Sequence, residues 1–451
     1  MRRTRLARAT PSVWTNWAGD QRCAPELVVE PASEDEVVAA LRRAAAAGTT
    51  VKVAGAGHSF TDAACTDGHM LRLGRMNRLL GATATGGQAT CCTPAGGLAT
   101  VEGGCTIREL GPLLADEGLA LENQGDVDPQ AIAGAIATAT HGTGARFRNI
   151  SAQVTRLRLV TAAGDVLECS ESDDPQLFLA ARVGIGALGV VTAVTLRCPP
   201  LYTLRRTDTP RPLGETLDRL DTLVDGSERF ELFVFPYTRT ALTRTTERTD
   251  DPPRPLSPWA EWLNDVVFEN RLLDLFMRGG RAVPAAVPAI NRLVTRLFQP
   301  SERVDRSYRI YANPRLVRFT EMEYAIPRAA GREALKRVME TIERRRLPVS
   351  FPIEFRFVAP DDAYLSPASG RDTAYIAVHT YRGMEHETYF RAVESIMRDY
   401  GGRPHWGKRH YRTAADLAPD YPDWDAFQEV RERTDPNRLF RNDYLDRVLG
   451  P

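Results

Sequence analysis

The chain has no apolar run long enough to span a bilayer, no excess of either charge, and no cysteine pair at metal-binding spacing. No window of about 18 consecutive apolar residues occurs, so no transmembrane helix is expected. Lys+Arg and Asp+Glu number 58 each among 451 residues, which removes the basic surplus typical of a nucleic-acid binder. Arginine far outnumbers lysine; with abundant Ala and Gly, this reads as a GC-rich coding bias. The seven cysteines (Cys23, Cys65, Cys91, Cys92, Cys105, Cys169, Cys198) form no CxxC and no His/Cys cluster. Neither a disulfide framework nor a metal site is therefore expected, and reduced thiols in a cytoplasm fit the scatter. The basic start MRRTRLARAT has no apolar core behind it and does not read as a secretory signal. The third glycine of a dinucleotide fingerprint is missing too. Phe60 stands where it belongs after Gly55-x-Gly57, and the clear helix precedes the strand instead of following it. A nicotinamide site of the Rossmann kind is excluded on that ground.

What is present begins with that turn. A strand at 50–53 runs into Ala54-Gly55-Ala56-Gly57-His58-Ser59-Phe60. Glycines let the backbone approach a ligand closely, and successive amides in such a turn can face phosphate oxygens. His58 then sits where it can touch what those amides hold. The preceding helix starts at a capping box of Ser33 and Glu36, shows Val37, Val38, Leu41 and Ala44 on one face, and ends at Gly48. By itself the turn fits a tight bend as well as a phosphate cradle.

Length and composition (43% hydrophobic, 26% charged) predict a soluble protein of two domains. Residues 20 to 200 alternate short strands (70–73, 99–102, 154–160, 190–196) with helical patterns, interrupted by a Gly/Ala/Thr loop at 81–97. Cys198-Pro199-Pro200 closes this half. Beyond it, 230–236, 351–358 and 375–381 read as antiparallel strands, and 331–345 and 387–400 as helices. The segment 259–277, carrying Trp259, Trp262, Leu263, Val266, Phe268, Leu272 and Phe276, reads as an amphipathic lid, core or dimer helix in preference to a membrane-surface one.

Two more glycine clusters follow. Asp128-Pro129 reads as an N-cap with proline at the first helical position, leading into Gly134, Thr138, His141, Gly142, Thr143 and Gly144 among Ala and Thr. Gly184-Ile185-Gly186-Ala187-Leu188-Gly189-Val190-Val191 runs from a turn into a strand. Small side chains either pack helices closely or let a flat ligand rest on backbone. A long cofactor with a central pyrophosphate needs several such approaches. In the second half, strand period places Glu354 and Arg356 on one face and apolar neighbours on the other, either as a sugar-hydroxyl clamp or as a surface ion pair. His379 and Tyr381 share a strand face. His405-Trp406-Gly407-Lys408 joins an indole, suited to anchoring an interface, to a lysine able to reach a substrate oxygen.

Taken in order, WxNWxG (from Trp14), GAGHSF, ENQGDVDPQ (from Glu122), ATATHGTG (from Ala137), GALGVVT (from Gly186), EMEYAIPR (from Glu321), EFR (from Glu354), SPASGRDT (from Ser366) and HWGK (from His405) resemble the flavoprotein family built on the vanillyl-alcohol oxidase fold, in its sugar-lactone and alditol oxidase branch. The resemblance covers nearly the whole chain. It implies a two-domain α+β flavoprotein: an FAD-binding α+β domain over 1–200, a substrate (cap) domain over 201–430 with an antiparallel sheet flanked by helices, and a segment at 431–451 returning to the FAD domain. FAD contacts are implied for Ala54 to Ser59, Gly125, Asp126, Gly134, Thr138, His141 to Gly144, Gly189, Val190, Val191, His405 and Lys408. A covalent bond from His58 to the flavin is implied as well. Glu354, Arg356, Lys408 and His379 carry the substrate roles, with Arg356 steadying negative charge and Glu354 or Lys408 as the base. The alditol-oxidase histidine aligns with either His379 or Val378. The implied substrate is a sugar 1,4-lactone, with an alditol oxidase or a decayed flavin-binding protein as rivals. Asp126 in place of the alditol oxidases' serine tilts towards lactones. Oxygen or a redox carrier such as cytochrome c is the implied acceptor, Gly125 being the family position that admits oxygen. Peripheral membrane contact is not favoured.

Overall fold

The computed structural model describes residues 13–85, 96–262 and 270–451. Cys91, Cys92, most of the 81–97 loop and the middle of the 259–277 segment lie outside them.

The first half holds three sheets. A two-stranded ribbon, β1 (Trp14–Thr15) and β2 (Arg22–Cys23), lies against the glycine turn. A parallel sheet is ordered β3-β5-β4 from β3 (Leu27–Val29), β4 (Val51–Val53) and β5 (His69–Leu71). Parallel neighbours need a crossover, supplied between β3 and β4 by α1 (Glu34–Ala47), which buries Val37, Ala40, Leu41 and Ala44. Ser33 caps α1 by accepting the Glu36 amide, and Gly48 ends it in the left-handed region at φ 66°. An antiparallel sheet follows, ordered β6-β7-β10-β8-β9, from β6 (Leu79–Thr85), β7 (Gly96–Glu102), β8 (Val154–Val160), β9 (Val166–Ser170) and β10 (Val190–Cys198). It carries α2 (Ile107–Asp116) and α3 (Ile132–Ala137).

The second half is one antiparallel sheet, ordered β14-β11-β13-β12-β16-β17-β15-β18. Its strands are β11 (Thr203–Pro212), β12 (Arg229–Val234), β13 (Thr240–Thr249), β14 (Ser301–Arg306), β15 (Phe319–Pro327), β16 (Ile353–Val358), β17 (Thr373–Tyr381) and β18 (Arg403–Pro404). One face is apolar: Leu232, Tyr324, Phe355 and Ile376 pack under the helices Gly331–Arg345 and Glu387–Asp399. Alternation then sends the polar residues of β12, β15, β16 and β17 to the other face, towards the first half. The C-terminal stretch packs into the first half's core through Trp406, Leu417, Tyr421, Phe427, Tyr444 and Leu445.

Three sequence expectations differ from the structure. The connection expected at 81–97 is strand at both described ends, 81–85 continuing β6 and 96–97 opening β7, because the two strands pair with each other there. Asp128 does not cap a helix. Ala131 is the N-cap of α3, because Thr106 and Ala131 form a β-bridge and Cys105 O accepts the Ile132 amide, which delays the helix. Asp128 instead pairs with Arg108 at 2.7 Å. In the 259–277 segment the described pieces are short helices, Pro258–Glu261 and Leu273–Ala282, with Trp259 69% and Trp262 46% exposed but Met277 buried. Among the described residues no helix is long and apolar enough to cross a membrane.

The C-terminal helix is tied to the cofactor-side loop by one residue. The Asn442 side chain caps its helix by accepting the Leu445 amide and donates to the carbonyls of Asp62, Ala63 and Cys65. Asn442→Ala is expected to lower stability by about 1–3 kcal/mol in urea denaturation, the sum of a lost cap and stranded carbonyls.

Candidate active site

An elongated cavity of about 1210 Å³, counting its open mouth, runs through the first half. Ala54 to Ser59 form one wall, Gly134 and Thr138 of the α3 region another, and Gly184 to Gly186, Leu188, Gly189 and Val191 a third. The three glycine-rich clusters thus meet around one space. Val190 turns away into the core beside α1.

The first wall is built to hold an anion. Ala54 N–H donates to Leu71 O and Phe60 N–H to Gly407 O, while the five amides from Gly55 to Ser59 have no acceptor among the described residues. The turn is exposed at Gly55 and Ala56 and half-buried from Gly57 to Ser59, so these five donors are open to a ligand, and phosphate oxygens fit. Gly57 holds φ +72°, and a Cβ there would lie 3.2 Å from the Trp14 ring, so turn and ribbon require glycine. Asn16 of the WxNW run donates to Ser59 O at 3.0 Å, and Trp17 N–H donates to Gly57 O at 2.7 Å. His58 stacks on Trp17 with centroids 5.3 Å apart. Burial, helped by the charges of Lys408 and Arg318, pulls its imidazole down to about 4. It is therefore neutral and nucleophilic at physiological pH.

The glycine turn that walls this cavity abuts the second half, where Phe60 N–H reaches Gly407 O next to Lys408 and the polar face of the sheet. Antiparallel register sets Glu321 opposite His379, and Glu323 and Glu354 both opposite Ala377. Directly paired residues share a face, and Ala377 leaves room between the two carboxylates. Val378 points the other way, into the apolar core. Lys408 arrives from the C-terminal loop, held by the Phe60–Gly407 bond to the cofactor turn. Its ammonium donates to Glu321 and lies 4.0 Å from Glu323. His379 Nδ1–H donates to Pro352 O at 3.1 Å, which leaves Nε2 facing Glu321 at 3.5 Å. His141 Nδ1–H likewise donates to Gly142 O at 2.8 Å, with Nε2 3.3 Å from Glu323. His405 is the opposite case: its Nδ1 accepts the Gly407 amide at 3.0 Å, and burial pushes its pKa down to about 3.

Beside this chain lies a second ionic cluster. Arg356 is 3.3 Å from Glu354, 3.4 Å from Asp126 and 2.7 Å from Glu231, and Arg315 pairs with Asp126. Its charges set the two candidate bases apart. Burial lowers the Lys408 pKa, but Glu321 and Glu323 more than offset that and raise it, so the amine stays an ammonium. Burial raises the Glu354 pKa, Arg356 opposes it and Asp126 adds to it, leaving a carboxyl above its usual range. Burial acts the same way on Asp126, yet Arg315 and Arg356 hold it well below that range.

Glu354, Arg356, Lys408 and His379 therefore lie together on the polar face of the second half's sheet, and none of them lines the large cavity: Arg356 borders one small recess and His379 another. Gly125, Asp126, Gly142 and Thr143 line a small recess beside Arg356 and not the main cavity. Thr143 and Gly144 bond to the second half through Phe230 O and Phe357 O, and His405 stays close to His141, with centroids 5.8 Å apart. Sequence reasoning gave no role to Glu321, Glu323, Glu231 or Arg315. Spacing of two within EMEYAIPR was the available signal for the first pair; Arg315, in a loop, offered none.

The fold, cavity and ionic centre are those of a two-domain FAD-dependent oxidoreductase of the vanillyl-alcohol oxidase type. An FAD-binding-domain family model matches residues 25–170, and the D-arabinono-1,4-lactone oxidase model matches residues 194–448. The chain belongs to the D-arabinono-1,4-lactone oxidase family. It is 56% identical over 439 residues to the L-gulono-1,4-lactone dehydrogenase of Mycobacterium tuberculosis, covering 97% of this chain and 99% of that protein. It is 36% identical to the L-gulonolactone oxidase of Bos taurus, covering 96% and 97%. Among solved structures, a solvent-stable cholesterol oxidase aligns with TM-score 0.80 at 20% identity over 98% of both chains, and the cholesterol oxidase from Brevibacterium sterolicum aligns with 0.80 at 19% over 98% and 97%. These last two share the fold.

Removing the charge of Glu321 (Glu321→Gln) takes away what raises Lys408. The alkaline limb of the pH–rate profile is expected to move to lower pH, read from turnover across pH 6–10.

Proposed function

We propose that this protein oxidises a sugar 1,4-lactone, L-gulono-1,4-lactone or a close stereoisomer such as the D-arabinono- or L-galactono-lactone, giving ascorbate or an analogue. The observation that carries the reading is the buried cluster next to the glycine turn, in which Lys408, held by Glu321, meets the sheet face that carries Glu354, Arg356 and His379. Bound there, FAD supplies a hydride acceptor at N5. Lys408 donates a hydrogen bond that orients the substrate hydroxyl, and His379 acts on it through Glu321, the carboxylate that both residues face. Glu354 takes the hydroxyl proton as the carbon loses hydride, which suits a carboxylate whose basicity burial has raised. Arg356 steadies the negative charge that develops on the substrate oxygen and on the reduced cofactor. His141 and His405 brace the carboxylates that hold Lys408.

The division of labour we assign is 1–200 for FAD, 201–430 for substrate, and 431–451 as the segment closing on the FAD half. A covalent tether at His58 is supported by its place on the cavity wall and its neutral imidazole. The acceptor is oxygen or a redox carrier such as cytochrome c. A Cβ at Gly125 would lie 3.0 Å from His141 O, so the space there exists only with glycine. A cytoplasmic protein without stable membrane contact fits the thiols and the absence of a membrane-crossing helix among the described residues.

Anaerobic flavin bleaching tests the reaction. A 1,4-lactone is expected to bleach the flavin and xylitol is not; bleaching by xylitol alone transfers the assignment to the alditol reading. Arg356→Ala is expected to slow bleaching by at least ~10²-fold, measured by stopped flow. Acid precipitation reports the tether: yellow colour stays in the pellet of the parental protein and appears in the supernatant for His58→Ala.

A further inference from the structure

Lysine occurs three times in this chain, at Lys52, Lys336 and Lys408. Lys408 belongs to the ionic centre and Lys336 is exposed on a helix. Lys52 is 2% exposed, in the middle of β4, and takes no part in the chemistry above.

Its ammonium donates to Phe440 O at 3.1 Å and to Gly186 O at 3.3 Å. Two of its three N–H groups are thereby used, and among the described residues no carboxylate lies within ion-pair distance. The charged groups that face it are Asp62 from the loop after β4, Arg431 and Asp435 from the helix Trp424–Thr434 and the turn after it, and Asp446 from the last helix. Two of these carboxylates are committed elsewhere. Asp435 accepts the amides of Leu439 (2.6 Å) and Phe440 (2.9 Å), and Asp446 pairs with Arg441 at 2.7 Å. A buried cation without its own counter-ion is expensive, and proteins rarely keep one without a use for it. Lys52 also lines the large cavity, where it is the only Lys or Arg among the described lining residues. The glycine turn that faces phosphate follows two residues later on the same strand.

We infer that Lys52 is a cofactor-binding residue: its third N–H donates to the adenosine-diphosphate half of FAD, supplying the cation that this end of the cavity otherwise lacks. The same ammonium holds Phe440 O, and β4 donates a further hydrogen bond from Val51 N–H to Leu439 O at 2.8 Å. Asp435 shapes the turn that presents both carbonyls. Cofactor retention is therefore coupled to seating of the C-terminal turn. Burial, opposed by Asp435, pulls the Lys52 ammonium down to about 7. An anion in the cavity raises it again, so FAD binding takes up a proton, and affinity is greatest below neutral pH and weakens as pH rises.

The inference rests on FAD occupying this cavity, which the flavin content of the purified parental chain checks separately; a flavin-free parent overturns both. The test uses the full-length His58→Ala chain, in which flavin binding is reversible, with FAD and riboflavin as ligands followed by fluorescence quenching. In that background the FAD Kd is expected to rise roughly tenfold from pH 6 to 8.5, the change carried by about one unit of pKa shift. Adding Lys52→Met should weaken FAD binding by about tenfold or more at pH 6 and abolish the pH dependence, leaving riboflavin binding unchanged; Lys52→Arg should restore FAD affinity. Calorimetry of the His58→Ala chain in two buffers of different ionisation enthalpy should show net proton uptake near pH 7.5. A folded Lys52→Met protein with parental FAD affinity, equal losses for FAD and riboflavin, or no proton uptake overturns the inference.

Discussion

A lysine ammonium compensated by two glutamates is the interaction on which the rest of the site depends. Lys408 reaches Glu321 and Glu323, which share a face of β15 because strand side chains alternate. The same carboxylates face the Nε2 atoms of His379 and His141. Removing any one member leaves a buried charge short of its partner, which is where large energetic penalties arise in protein interiors. The arrangement also requires that the opposite face of β15 be apolar and covered, as Met322, Tyr324 and Ile326 are.

That requirement links the site to the whole architecture. The Phe60–Gly407 hydrogen bond joins the glycine turn directly to the lysine-bearing loop, so the turn's unspent amides and the Lys408 ammonium are set by one backbone contact. Thr143 and Gly144 make a second seam between the halves. Helices after Lys408 return to share the first half's core, the helix Trp424–Thr434 packing on the helix Pro175–Ala181. The chemistry sits at a junction to which each half contributes groups the other cannot supply.

Much of this was legible beforehand. The helix at 331–345 and the strand at 154–160 fall at the expected bounds, because a long 3.6-residue period and a β-branched run leave little ambiguity. Glu354 and Arg356 share a face as period two demanded. The start of α3 was misplaced because a tertiary bridge at Ala131 overrode a good local capping signal at Asp128. Lys52 drew no notice, since one lysine between two valines in a short strand looks like any solvent-facing residue.

The sequence by itself determined the class of protein through a resemblance: the glycine turn with its histidine, the paired acid and guanidinium, and the HWGK run each had two readings alone, and their order along one chain matched a family. Only the tertiary structure decided which charges meet. It set His379 and not Val378 towards Glu321, put Glu354 above its usual pKa while Lys408 stayed cationic, and left Lys52 buried beside the cofactor cavity. Those outcomes depend on sheet register, burial and the approach of residues hundreds of positions apart, and electrostatics in a low-dielectric interior is governed by such neighbours rather than by the residue's own identity.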